Sequence, residues 1–247
     1  MSPVEIAALA AGGAFAGVVN TLAGGGSMLT VPLLVMLGLP GTLANGTNRI
    51  GILAQNVAAV SSFRRAGVDG LARSLPVLVP VGAGSLIGAI AVSRLADDVF
   101  ERAFGLVMLL VLAPTLRPPR ARAPGESAPP WPRWASALVF FAIGLYGGAF
   151  QAGVGIALLL AVARTGVDLV TANAIKVLVV GALTLVAVPV FIASGQVAWP
   201  QAAVLTAGFA AGGWLGARVA VRGGDRLIRP VLVVCVLALA GRMLGAY

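Results

Sequence analysis

Residues 20–28 read Asn-Thr-Leu-Ala-Gly-Gly-Gly-Ser-Met (NTLAGGGSM), three consecutive glycines between two apolar runs. Each glycine costs a helix roughly 1 kcal/mol relative to alanine. The stretch therefore ends one helix and starts the next. A new helix N-terminus leaves backbone N–H groups without intrahelical partners and carries partial positive charge. That makes Gly24, Gly25 and Gly26 a candidate anion cradle, with Ser27 adding a hydroxyl donor. Asn20 stands just before the break, where it either faces a ligand or caps the backbone.

The surrounding sequence fixes the setting. The chain has 247 residues, of which 59% are hydrophobic and 10% charged, and its mean hydropathy is +1.00. Soluble domains run at about 45–50% apolar and about 25% charged. The apolar runs are continuous rather than alternating, which predicts an all-α polytopic membrane protein and argues against a β-barrel. Ten segments are expected, at 4–22, 27–39, 43–63, 74–95, 103–116, 134–152, 154–165, 171–193, 199–220 and 228–246. The second and seventh reach only ~20 Å, against a hydrocarbon core of ~30 Å. They are expected to be short or re-entrant, giving eight to ten helices in all.

Composition also narrows function. The net charge of +9 comes from arginines clustered between apolar runs, the pattern of cytoplasmic loops rather than of a nucleic-acid binder. The lone cysteine, Cys235, excludes an intrachain disulfide, and histidine is absent. With no His, Cys or carboxylate cluster, neither a metal, a cofactor nor an enzyme activity is expected. The first residues carry Glu5 and no arginine, which argues against a cleaved signal peptide.

The two halves look like copies. A shift of 128 residues aligns Gly25 with Gly153, Gly38 with Gly166, Ala44-Asn45 with Ala172-Asn173, Phe63 with Phe191, and Gly84-x-x-x-Gly88 with Gly212-x-x-x-Gly216. This divides the chain into a first repeat at 4–116, a Pro/Arg-rich linker at 117–133 and a second repeat at 134–247. Arginine placement sets their orientation. The loop at 64–73 holds Arg64, Arg65 and Arg73, whereas its image at 192–201 is uncharged. Equivalent loops thus face opposite sides, which predicts an inverted repeat in the cell membrane. On this reading 64–73, 117–133 and 218–229 are cytoplasmic and both termini lie outside.

Polar groups at membrane depth are costly and mark function. They concentrate on the third and eighth segments. Asn45, Arg49, Ile52 and Asn56 stay within about 60° of one another on a helix, with Thr47 and Asn48 on the same segment. Asn173, Lys176, Val180 and Thr184 form a similar stripe, and Lys176 is the only lysine. Arg49 and Lys176 either face a substrate or snorkel to headgroups. The asparagines either orient a ligand or join helices by hydrogen bonds. The second glycine break, Gln151-Ala-Gly153-Val-Gly155, mirrors the first. Gly-rich breaks at matching places in inverted halves point to a transport site.

At this point the chain resembles the sulfite exporter TauE/SafE-type permeases, the TSUP family. The resemblance runs over nearly the whole length. It rests on NTLAGGGSMLTVPLLVMLGLP (20–40), ANGTNR (44–49), FRRAGV (63–68), GGAFQAGVG (147–155), TANAIK (171–176) and GQVAWP (195–200). It implies a permease for sulfur-containing anions such as sulfite, thiosulfate or organosulfonates. Many members carry Asp where this chain has Asn20, and Lys where it has Arg49. The expected partners are a small anion and the lipid bilayer, with homo-oligomerisation left open. The expected mechanism is alternating access, and an anion channel or a non-transporting subunit is the alternative. With no intramembrane acid, transport is expected to follow the anion gradient and the membrane potential, or to carry a proton on the substrate itself.

Overall fold

The computed structural model describes residues 1–116, 131–165 and 167–222. The expected tenth segment at 228–246, Cys235, Gly166 and most of the expected linker lie outside these residues. Among the described residues there are nine helices and no strand: α1 Pro3–Ala23, α2 Ser27–Met36, α3 Gly41–Arg65, α4 Leu71–Val92, α5 Asp97–Leu116, α6 Arg133–Ala149, α7 Val154–Ala163, α8 Leu169–Ala193 and α9 Trp199–Val221. Four of them (α1, α4, α9 and α8 from Val170) are long and apolar enough to cross a membrane. The short helices α2 and α7 have 10 residues each, or about 15 Å.

Local chemistry sets the boundaries. Ser2 and Glu5 form a reciprocal capping box at the start of α1, satisfying two orphan N–H groups. α1 stops at Gly24, whose φ of 80° is left-handed. α3 follows Pro40 and ends ahead of Gly67, also left-handed. Asp168 caps α8 by accepting from the N–H groups of Val170 and Thr171 at 3.0 and 2.9 Å.

Packing is crossed. α1 lies along α9, and α4 along α6. α3 packs on α9 and α8, and α4 also meets α8. Small residues permit the two closest pairings. A Cβ at Gly84 or Gly88 of α4 would strike the α6 carbonyls of Phe141 or Leu145, and Gly144 and Gly148 of α6 are equally tight against α4. On the other side Gly13 and Gly17 of α1 face Gly208 and Gly212 of α9 in the same manner. Such contacts let backbones approach where an apolar solvent gives little drive for helix association.

The polarity of the interior is inverted relative to a soluble domain. Val4, Val79 and Leu110 are more than 70% exposed, while Asn45, Thr47, Asn48, Arg49 and Gln55 of α3 are 0% exposed. Apolar surface outside and amides inside is what a lipid solvent requires. The chain is accordingly an all-α multi-pass membrane protein.

Two expectations follow. Gly84→Ala should force α4 and α6 apart, lowering stability by about 1–3 kcal/mol. Gly82→Ala, whose Cβ meets nothing nearer than 3.7 Å, should not. Thermal unfolding in detergent measures both. The second concerns pH. Hydrogen bonds from the Thr171 side chain and backbone, then from the Val170 backbone, hold the Asp168 carboxyl below its ordinary value of 3.8. A carboxyl lowered on folding stabilises above its unfolded pKa and loses that contribution as pH falls through the folded one. The Asp168→Ala penalty of about 1 kcal/mol should therefore be full at neutral pH. It should vanish only when pH is taken below the usual carboxylate range, as read by unfolding of the variant beside the parent.

Candidate functional site

The two glycine breaks touch. A Cβ on Gly24 would lie 2.5 Å from the Gly155 Cα, and one on Gly155 would lie 2.6 Å from the Gly24 Cα and 3.2 Å from Lys176 Cδ. Backbone meets backbone here because neither residue has a side chain. Gly153, with φ 66°, is the N-cap of α7, and Gly26 is the N-cap of α2. Gly25 is buried, and its carbonyl accepts from the N–H of Met28 at 3.1 Å. Gln151 takes a φ of 60°, which is rare for a residue with a side chain and stores local strain.

The cations sit on the far side of each break. Arg49 of α3 reaches the end of α6. Its Nη1 donates to the Gly147 carbonyl at 3.1 Å and to Gln151 Oε1 at 3.0 Å. Its Nη2 donates to the carbonyls of Gly148 and Ala149 at 2.6 and 2.9 Å. The guanidinium also lies 4.6 Å from the centre of the Phe191 ring, a cation–π distance. Lys176 of α8 reaches the end of α1, where its Nζ donates to the carbonyls of Asn20 at 3.2 Å and Thr21 at 2.6 Å. The shift of 128 maps Asn20 onto Gly148 and Thr21 onto Ala149. Both cations therefore hold the same pair of carbonyls, each at the negative end of a broken helix. At 0% and 1% exposure they do not snorkel.

The amides bind these ends into networks. Asn20 Oδ1 accepts from the Gly26 N–H at 3.2 Å and its Nδ2 donates to Gln55 Oε1 at 2.5 Å. Gln55 Nε2 in turn donates to Thr21 Oγ1 at 2.9 Å. Asn48 Nδ2 donates to Ser27 Oγ at 3.2 Å, and Asn48 Oδ1 accepts from Thr30 Oγ1 at 2.5 Å. Asn45 Nδ2 donates to the Ala149 carbonyl at 2.9 Å, joining Arg49 on that atom. Gln151 Nε2 donates to Thr184 Oγ1 at 2.8 Å. Asn173 is 4% exposed. Buried atoms without a hydrogen-bond partner include Asn45 Oδ1 and Arg49 Nε at the end of α6 and Asn173 Oδ1 near the start of α8.

Of the residues expected to line the site, the structure groups Asn45, Arg49 and Gln151 at the end of α6. It groups Asn20, Gly24, Gly155 and Lys176 at the end of α1. Thr47 lies elsewhere in the network: its hydroxyl donates to the Leu43 carbonyl at 2.7 Å and accepts from the Ala198 N–H at 2.9 Å, just ahead of α9. Sequence reasoning missed Thr21, Thr30 and Gln55. Gln55 was accessible, since it lies seven residues after Asn48 and so within about 20° of it on the helix. Among the described residues no group of His, Cys, Asp or Glu could hold a metal.

The sulfite exporter TauE/SafE family profile matches residues 9–243. The chain is 27% identical over 231 residues to a probable membrane transporter protein of Sinorhizobium sp. (ORF9), covering 93% of this chain and 88% of that one. It is 27% identical over 232 residues to a probable membrane transporter protein of Haemophilus influenzae, covering 94% and 91%. It is 25% identical over 245 residues to the probable membrane transporter protein YfcA of Escherichia coli K12, covering 99% and 91%. No solved structure matches the chain.

The network yields a test of its own. Gln55→Leu removes the acceptor of Asn20 Nδ2 and one donor to Thr21 Oγ1, which keeps its bond to the Gly17 carbonyl; the buried Asn20 amide left unpaired costs about 1–3 kcal/mol. The variant should melt several degrees lower in detergent. A melting temperature equal to the parent's would show that the network contributes nothing to stability.

Proposed function

The chain belongs to the sulfite exporter TauE/SafE family of membrane transporters, and from that premise we propose that it moves small sulfur-containing oxyanions (sulfite, thiosulfate or organosulfonates) by alternating access. One observation carries the reading. Arg49 is a buried cation whose guanidinium is held by backbone carbonyls and one amide oxygen. No Asp or Glu is among the buried residues described. A buried guanidinium held by neutral acceptors is poised to take an anion, and Lys176 brings a second buried positive charge to the end of α1. An oxyanion has the geometry to accept the guanidinium fork.

In this reading the closed contact of Gly24 with Gly155 is one end-state. An entering anion replaces the helix-end carbonyls as acceptor for Arg49 and Lys176. The ends of α1 and α6 lose their caps, and the break between them opens. Gly24, Gly25, Gly26 and Ser27 on one side and Gly153 and Gly155 on the other then expose N–H groups to the ligand. Asn20, Asn45, Asn48 and Gln151 orient it.

The repeat reading belongs to the same proposal. With the shift of 128, α1 corresponds to α6, α3 to α8 and α4 to α9. The pairing of α1 with α9 is then the image of α6 with α4, and α3 with α9 the image of α8 with α4. This exchange supports two inverted repeats, 4–116 and 134–247, related by a pseudo-two-fold axis and joined by a cytoplasmic linker at 117–133, with both termini outside. Rocking of one repeat against the other alternates access.

Reconstituted protein should carry labelled sulfite, thiosulfate or an organosulfonate across liposome membranes. Arg49→Ala and Lys176→Ala should each lower flux at least about tenfold, and Arg133→Ala should not. A drop of that size corresponds to losing about 1.4 kcal/mol of differential binding. Parental flux in both variants would overturn the site. Absence of flux for every sulfur oxyanion would overturn the substrate class.

A further inference from the structure

The orphaned atoms carry information that the cations do not. Asn45 Nδ2 is fixed on the Ala149 carbonyl at 2.9 Å, so the atom left over is the acceptor Oδ1. Rotating the amide would set two oxygens against each other. Asn173, its image at a shift of 128, also leaves Oδ1 without a partner, but at the opposite end of the α3–α8 pair: Gly70, past the end of α3, meets Ile175, while Gly46 at its start meets Gln196. Asn45 and Arg49 converge on the same Ala149 carbonyl, and Arg49 Nε is an unpaired donor in that region. All three side chains are buried.

A buried polar atom without a partner is costly, so a ligand that supplies one gains selectivity. An oxyanion with lone pairs on every oxygen satisfies Arg49 Nε but leaves Asn45 Oδ1 facing further lone pairs. A ligand that joins a negative oxygen to an O–H or N–H satisfies donor and acceptor together. A site built to hydrogen-bond such a group rejects the analogue that lacks it.

We propose that the site selects oxyanions that also carry a hydrogen-bond donor, with Asn45 Oδ1 as the acceptor that reads it beside Arg49. The inference rests on the anion-transport reading above and specifies its substrate. The donor is either the O–H of a half-protonated acid, as in hydrogensulfite, or a hydroxyl or ammonium group on carbon, as in a substituted sulfonate. The ionisable groups bordering the network are Arg49 on α3, Lys176 on α8 and Tyr146 on α6, with Asp97 and Glu101 of α5 against Thr42 and Gly41 at the start of α3. A change in sulfite affinity near its own protonation point that persists in Glu101→Gln and Asp97→Asn reports the ligand's proton.

The test uses the full-length protein and two matched comparisons. In the first, 2-hydroxyethanesulfonate and ethanesulfonate compete for uptake into proteoliposomes at one pH. In the second, sulfite affinity is measured below and above the pH at which hydrogensulfite loses its proton. A preference of about tenfold, the size of one satisfied hydrogen bond, is expected in at least one arm, and the arm that responds identifies the donor's source. Asn45→Leu should bring the ratio of the two affinities to about one. Equal affinity in both arms of the unaltered protein overturns the inference and leaves the transport reading intact. No binding of any of these anions overturns both. A preference that survives in the variant removes this oxygen as its cause. Should the variant fail to fold, the ligand comparison in the unaltered protein still decides whether a donor is selected.

Discussion

A charge buried among helices must find partners or be expelled to water, and this constraint organises the molecule. Arg49 and Lys176 find theirs at the ends of helices that are distant in sequence. Arg49 on α3 is joined to α6 and Lys176 on α8 to α1. The carbonyls they hold are the orphans that any helix C-terminus exposes. Each bond therefore satisfies two groups that lipid could not: a cation and a helix end. The breaks after α1 and α6 persist inside the protein because the exposed carbonyls are capped from outside their own segment.

The glycines complete that arrangement rather than merely interrupting helices. Gly24 and Gly155 let the two breaks lie in direct backbone contact, which brings the cation of each side within reach of the opposite carbonyls. A methyl group at either would separate them. The glycines of α4, α6, α1 and α9 do the same along the helix flanks. Close approach is thus used twice, once for packing and once to hold the polar centre shut.

Much of this was written in the sequence. Apolar run lengths located the helices, the short second and seventh among them, and NTLAGGGSM and AFQAGVG located the breaks. Asn45, Arg49 and Lys176 stood out because charge and amide are rare in such runs. Their partners did not, because a backbone carbonyl has no residue signature. Nor did the diagonal pairing of Gly24 with Gly155: the internal shift aligns Gly24 with Ala152 instead. The shift likewise pairs Lys176 with Asn48, yet Arg49, one position on, holds the equivalent carbonyls. A long side chain reaches the same atoms from a neighbouring position, so function follows the reach of the cation rather than the alignment. Thr21, Thr30 and Gln55 were hidden because a hydroxyl or amide within a helix shows its role only when the facing helix is known.

The crossed packing has a consequence for how the protein is made. α1 rests on α9, and α4 on α6, so the helices synthesised first find their principal neighbours only after the later ones emerge. Until then α3, with Arg49 and its amides, has neither Gly147–Ala149 nor Gln151 to bind. Long separations in sequence slow folding, because closure entropy is lost before contacts form. The packing of α1 and the capping of the α6 end by Arg49 are therefore completed only once the second half of the chain has been made.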